Sequence, residues 1–172
     1  MPAFITEYPQ FFTASIKGWY KLLQGDNYKV IIIKSLRFLV QDNRIKLYAF
    51  VIMADHIHLI WQMKPPIHPQ DLQRDFLKYT AQRMKNELGK SNPGALKHFE
   101  TNASDRQYQF WKRRPLSIEL RTAKVYQQKL NYIHRNPVKA GFCKLPEEYT
   151  YSSALFYETG KDNWGFLTHH HD

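Results

Sequence analysis

The strongest chemical signal in the sequence is His56-Ile57-His58, set in the apolar run Val51-Ile-Met-Ala-Asp-His-Ile-His-Leu-Ile-Trp61. Side chains of a strand alternate between the two faces of a sheet, so His56 and His58 project together while Ile57, Leu59 and Trp61 project oppositely. Two neutral imidazoles converging from one strand can ligate a divalent cation, provided a third protein ligand joins them and open positions remain for substrate. Two hydrogen-bonded, half-buried histidines on a sheet have the same spacing. The pair alone leaves both readings open.

A second segment, Leu130-Asn-Tyr-Ile-His-Arg-Asn-Pro-Val-Lys-Ala-Gly-Phe142, has a helical pattern with Asn136 four residues after Tyr132. Residues four apart share a helix face, so a phenol and a metal-competent amide oxygen point at the same place. Positions 125, 129, 132 and 136 lie on that face, which puts Lys129 a turn before Tyr132, either against a phosphate or simply solvated. Tyr126 aligns instead with Leu130 and Ile133 on the apolar stripe, and His134 faces elsewhere. Tyrosine is a poor nucleophile near neutrality because its phenol has a pKa of about 10, so its use requires help in losing the proton. A divalent cation gives part of that help and neutralises charge building on a scissile phosphate.

The strand His-x-His, the downstream helical Tyr132 with a polar residue one turn on, and a very basic chain together resemble the single-tyrosine HUH transposases. The run Tyr-x-x-x-Asn-Pro-Val-Lys-Ala-Gly and the later Tyr151-Ser152-Ser153-Ala154 are most similar to their REP-associated tyrosine transposase branch, and the resemblance extends from about Phe11 to Tyr157. It implies that His56 and His58 are metal ligands for Mg²⁺ or Mn²⁺, Asn136 the third ligand and Tyr132 the nucleophile. It also implies nicking and rejoining of single-stranded DNA through a 5′-phosphotyrosine, beside a hairpin of a repetitive palindromic element, by a monomer or homodimer. Tyr149, Tyr151 and Ser152 are implied DNA contacts on the same ground. The chain departs from the pattern at Ala54-Asp55, where relatives often have Pro-Asn, and Asp55 has the wrong strand parity to join the metal.

Composition agrees with a polyanionic partner. Lys and Arg number 25 against 15 Asp and Glu, a net charge of +10, and 43% hydrophobic content argues for a folded core. The expectation is one domain over 1–172, with a core of about 10–157 and a short tail. The single Cys143 excludes an internal disulfide and a cysteine-based zinc knuckle, which fits a reducing cytoplasm. Met1 to Tyr8 lack a secretory signal, and no apolar run approaches the roughly 20 residues of a spanning helix, so no membrane role is expected. His169-His170-His171-Asp172 reads as a flexible tail outside the site.

The pattern along the chain predicts a strand over Gln10 to Ile16, a helix over Tyr28 to Val40, strands over Arg44 to Ala54 and Ile57 to Met63, and a helix from Pro69 to Leu88 capped by Gly89. Gly89-Lys90-Ser91 imitates the end of a phosphate-binding loop, but Met84 stands where its first glycine is required. The stretch from Lys90 to Arg114 has no readable period. A fourth strand follows at Leu116, Ile118 and Leu120, then a helix capped by Thr122 that ends at Asn136 before Pro137. The order βαββαβ plus a helix predicts a ferredoxin-like α+β antiparallel sheet with an additional C-terminal helix carrying the tyrosine. Strands one and three are central there, and the added helix covers the face opposite the other two.

Phe110, Trp111, Lys112, Arg113 and Arg114 interleave rings and cations, a combination that stacks on unpaired bases while holding phosphates. Core aromatics beside a solvated basic loop are the plainer alternative. The main rival function is a non-catalytic RRM-like nucleic-acid-binding module, which shares the element order but needs a Lys/Arg-Gly-Phe/Tyr-Gly/Ala-Phe pattern that is missing here. A metallohydrolase with a structural Tyr132 is a third.

Overall fold

In the computed structural model, residues 7–171 are described. Residues 1–6, on which the expectation about a secretory signal rests, and Asp172 lie outside them. The sheet consists of β1 (Gln10–Ser15), β2 (Ile45–Ile52), β3 (His56–Met63) and β4 (Leu116–Glu119) in the order β2-β3-β1-β4. All neighbours run antiparallel, so the ferredoxin-like order is present with β1 and β3 central. Helices α1 (Asp26–Gln41) and α2 (Pro69–Ser91) pack on one face.

Strand alternation divides the core as the sequence predicts. Phe12, Ala14, Ile57, Leu59 and Trp61 face α1 and α2, while Phe11 and Ile60 face the other way. On that second face lies α3 (Ala123–Lys139), whose Tyr126, Leu130 and Ile133 are buried against Phe11, Tyr48, Ala49, Val51 and Ile60. A fully buried Leu or Ile side chain contributes about 1.5–3 kcal/mol, against at most about 1 kcal/mol for an exposed ion pair, so this stripe is what seats α3. The face an RRM-like module would use to stack bases is therefore covered.

Three local features differ from expectation, each for a physical reason. A bulge between Leu47 and Ala49 resets the alternation of β2, so that Tyr48 and then Ala49 and Val51 all turn toward α3. Gly89 does not cap α2, which continues to Ser91 and ends at Asn92. Pro137 does not end α3 either. It is buried within the last turn, and the helix stops at Ala140 through Gly141, at φ 84°. There the Gly141 N–H donates to Val138 O at 3.0 Å and the Phe142 N–H to Pro137 O at 2.9 Å. These two bonds form the Schellman arrangement in which a left-handed glycine satisfies the final carbonyls.

The C-terminal residues are packed. Leu167 bridges Leu47 in parallel, and the Thr168 N–H donates to Leu47 O at 2.9 Å, which covers the edge of β2. The His170 ring stacks on Tyr126 of α3 at 5.3 Å. A short helix α4 (Ala154–Thr159), unpredicted by the sequence, lies before this segment.

Candidate active site between the sheet and α3

His56 and His58 begin β3, on the α3 side of the sheet, with ring centroids 4.8 Å apart. In register on β1, Ser15 stands opposite His56 and Thr13 opposite His58. The Thr13 hydroxyl is 2.7 Å from His58 Nδ1, and Asp55 Oδ1 is 2.6 Å from His56 Nδ1. A carboxylate only accepts, so His56 donates from Nδ1, which leaves Nε2 as the ring atom it can turn to a ligand. Thr13 occupies the same nitrogen of His58, whose buried Nε2 has no hydrogen-bond partner among the described residues. Burial first, then His56 and Lys129, push the His58 pKa down to about 3, so the ring is neutral.

These features fit a divalent cation. Imidazoles whose Nδ1 atoms are held by a carboxylate and a hydroxyl, with Nε2 left over, match the way metal-binding histidines are oriented through their second ring nitrogen. Asp55 takes part as the partner of the His56 ring, consistent with its strand parity.

Tyr132 reaches this place from α3. Its ring is 5.2 Å from that of His58 and 6.0 Å from that of Phe11, both edge-on, and the residue is 47% exposed. The tyrosine and the histidine pair of one and the same chain thus lie side by side, with the phenol open to solvent. Lys129, one turn earlier, holds its Nζ 4.8 Å from the Phe11 ring centroid and 5.7 Å from that of Tyr132. Tyr126, by contrast, is buried, and that burial together with the neighbouring Tyr157 and Tyr48 raises its phenol far above the usual range. Asn136 is half-buried one turn after Tyr132. Its carbonyl accepts from the Ala140 N–H at 3.0 Å, so the main chain is used within the helix and the side-chain amide is what it can offer a ligand. Ending the helix is the work of Gly141, not of Asn136.

His134 turns away from this cluster, with Nε2 2.8 Å from Ser153 Oγ, and burial lowers its pKa to about 4. In the unfolded chain both His134 and His58 take up a proton near pH 6.5; in the folded one they do so only near pH 4 and pH 3. Their contribution is complete above about pH 6.5 and is lost as pH falls from there toward the folded values. The urea midpoint of the metal-free protein should therefore decline between pH 6.5 and pH 4, and His134→Gln should flatten part of that decline. A midpoint constant across this range would contradict neutral, buried rings.

The basic segment is divided by the fold. Trp111, expected to stack on bases, is only 5% exposed and donates its indole N–H to Thr80 Oγ1 at 3.0 Å on the α2 side. Phe110 is buried too, stacked on Phe99. Burial of the rings removes them from any DNA contact, and the cations alone stay outside. Trp111 bridges Ile16 and Leu116 pairs with Thr13, so four residues, 112–115, lie opposite the two residues 14 and 15 of β1. The surplus bulges outward and exposes Lys112, Arg113 and Arg114, the last at φ 60°. Arg113 pairs with Asp105 at 3.0 Å.

Tyr149, Tyr151 and Ser152 also serve the fold. The Tyr149 hydroxyl donates to Ile52 O at 2.6 Å, the Ile52 N–H donates to Tyr151 O at 2.9 Å, and buried Ser152 bridges Val51. Thr13 and Asp55, which hold the histidine rings, were not among the sequence candidates. The alternation of β1 puts Thr13 on the correct face, but its pairing with His58 depends on the register.

Comparison with known proteins gives the family and the fold. The family described as "Transposase IS200 like" matches residues 12–136. A curated relative from Haemophilus influenzae, named "Putative REP-associated tyrosine transposase", is 29% identical over 121 residues, covering 68% of this chain and 65% of the relative. The matched region thus spans less than two thirds of that protein's length. Among solved structures, a REP-associated tyrosine transposase bound to a REP hairpin superposes with a TM-score of 0.64 at 18% identity, over 98% of this chain and 92% of the other. A second, described as a "putative transposase" from Deinococcus radiodurans, gives 0.52 at 17% identity over 76% and 91%. Both show the same fold. The family match spans β1 through the tyrosine-bearing turn of α3, and on it this chain belongs to the IS200-like transposase family.

Proposed function

We propose that this protein nicks and rejoins single-stranded DNA beside a hairpin, with Tyr132 as nucleophile and His56, His58 and Asn136 as ligands of a divalent cation. The observation that carries the reading is the solvent-open Tyr132 ring 5.2 Å from a neutral His58 whose buried Nε2 has no partner among the described residues. The Tyr132 phenol releases its proton as its oxygen attacks the scissile phosphorus, the bond from phosphorus to the 3′ oxygen breaks, and that oxygen takes up a proton from solvent to leave as a free 3′ hydroxyl. The 5′ phosphate stays on tyrosine, so one phosphodiester replaces another and rejoining needs no ATP. Bound Mg²⁺ or Mn²⁺ would polarise a non-bridging phosphate oxygen and take up charge in the transition state. Asp55 keeps a proton on His56 Nδ1 and Thr13 engages His58 Nδ1, so both rings turn Nε2 to the cation, while Lys129 adds positive charge beside the phenol.

The hairpin is proposed by analogy with the REP hairpin bound to the solved relative. The test is incubation with oligonucleotides carrying palindromes from the flanking genome, followed by a denaturing gel and mapping of the modified residue. A shifted band mapped to Tyr132 is the expected result; DNA binding without an adduct on any such oligonucleotide would favour a binding module.

Lys112, Arg113 and Arg114 are proposed to hold phosphates on the bulge beside β1. Neutralising all three should reduce the slope of log affinity against log salt by about 0.7 for each phosphate they no longer neutralise, the single-strand value. An unchanged slope would make the bulge an ordinary solvated loop.

A further inference from the structure

Trp19 is 56% exposed, whereas Trp61 and Trp111 are buried. Single exposed apolar residues are common and need no function. Trp19 is unusual in its backbone as well, at φ 59° directly after Gly18 at φ 68°. A bulky residue in the left-handed region is disfavoured and persists when its surroundings impose it. Here the Trp19 N–H closes a turn onto Ile16 O at 3.0 Å, and the Lys112 Nζ stands 4.4 Å from the indole centroid. The ammonium leaves more than half of the residue open.

Both partners are tied to the histidine site by main-chain bonds. The Ile16 N–H donates to Asp55 O at 2.8 Å, and the Lys112 N–H donates to Ser15 O at 2.8 Å. Asp55 holds the His56 ring, and Ser15 stands opposite His56 in the sheet. The ring and cation therefore sit at the same end of β1 as the proposed metal ligands, with Arg113 and Arg114 on the adjoining bulge. An exposed indole beside an ammonium offers a π-face to a base and a positive charge to the phosphate next to it. A paired base has no free face to give, so the ligand is an unpaired nucleotide. Stacking tolerates any base, which makes this a device for holding and directing the strand rather than for reading its sequence.

From this placement we infer that Trp19 and Lys112 form a stacking subsite for one unpaired nucleotide of the DNA strand entering or leaving the Tyr132 site. The inference rests on the single-strand reading above and deepens it.

The test compares a blunt hairpin with the same hairpin carrying single-stranded extensions, with 2-aminopurine placed at successive extension positions. The variants are Trp19→Asn, which tolerates the left-handed backbone, and Trp19→Tyr, which restores a ring. Trp19→Asn should weaken binding of the extended hairpin about tenfold, a typical loss for one stacked base, and leave the blunt hairpin unchanged. Trp19→Tyr should recover most of the loss. Quenching of 2-aminopurine at one position should disappear in Trp19→Asn and return in Trp19→Tyr. Equal affinity of wild type and Trp19→Asn for the extended hairpin, or an equal loss on both DNAs, would overturn the subsite. Adduct formation by the wild-type protein on the extended hairpin scores the Tyr132 reading separately, since it does not depend on either variant.

Discussion

Tyr132→Phe is expected to abolish the covalent protein–DNA adduct and cleavage while leaving fold and DNA affinity close to those of the wild type. Only the hydroxyl is removed. The ring contacts with His58 and Phe11 and the cation–π approach of Lys129 all survive in phenylalanine. Loss of a nucleophile that acts with its site as a unit costs at least about 10⁴-fold in rate, whereas a substitution at a half-exposed position changes stability by about 0.5 kcal/mol or less. The control lies on the same helix. Tyr126→Phe should keep the adduct, because Tyr126 is buried against Tyr48 and its phenol is much harder to ionise. Mass mapping of trapped adduct checks both variants, and an adduct persisting in Tyr132→Phe would move the nucleophile elsewhere.

How much of this was legible follows from which features leave a period in the sequence. The alternation through His56, His58 and Ile60 assigns the face of the histidines without further knowledge, and the spacing of Tyr126, Leu130 and Ile133 places Tyr132 beside the buried stripe. Those two patterns, with the order of elements, were enough to predict which face α3 covers. Legibility stops where structure depends on a single residue or on pairing between distant segments. The bulge at Tyr48 inserts one residue without altering apolar composition. Between 92 and 112, burial rests on Ala95, Phe99, Phe110 and Trp111, spaced too irregularly to register as helix or strand.

The misassigned DNA contact has the same origin. Adjacent rings and cations at 110–114 read as one patch, but the fold buries Phe110 and Trp111 together and loops 112–114 outward. Trp111 bonds Thr80 in the core while Lys112 extends over Trp19, a residue 93 positions earlier that no local pattern connects to it. The helix end was misread because Pro137 is tolerated within the final turn, while the left-handed Gly141 satisfies the last carbonyls. Asn136 is consequently helical, and its side chain belongs to the same face as Tyr132.

The second large effect concerns the metal. His58→Ala and His56→Ala should each remove measurable Mn²⁺ binding, and with it cleavage, because one imidazole and Asn136 would be too few ligands for the proposed cation, which must also take water and phosphate. His58→Ala also unstacks Phe11, whose ring lies 5.4 Å away, so its melting temperature must be measured beside its affinity. Thr13→Val supplies the gentler comparison, keeping both rings but removing the hydroxyl at His58 Nδ1, for which a loss of about 10- to 100-fold in affinity is expected. Asn136→Ala should weaken Mn²⁺ without shifting the melting temperature appreciably, since Gly141 and not Asn136 completes the helix end. Calorimetric titration of the four metal-free variants orders them: the histidine losses greatest, Thr13→Val and Asn136→Ala intermediate. Wild-type affinity in a folded His58→Ala protein would remove the histidine pair from metal binding, and the buried Nε2 would then be the ordinary edge of a packed ring.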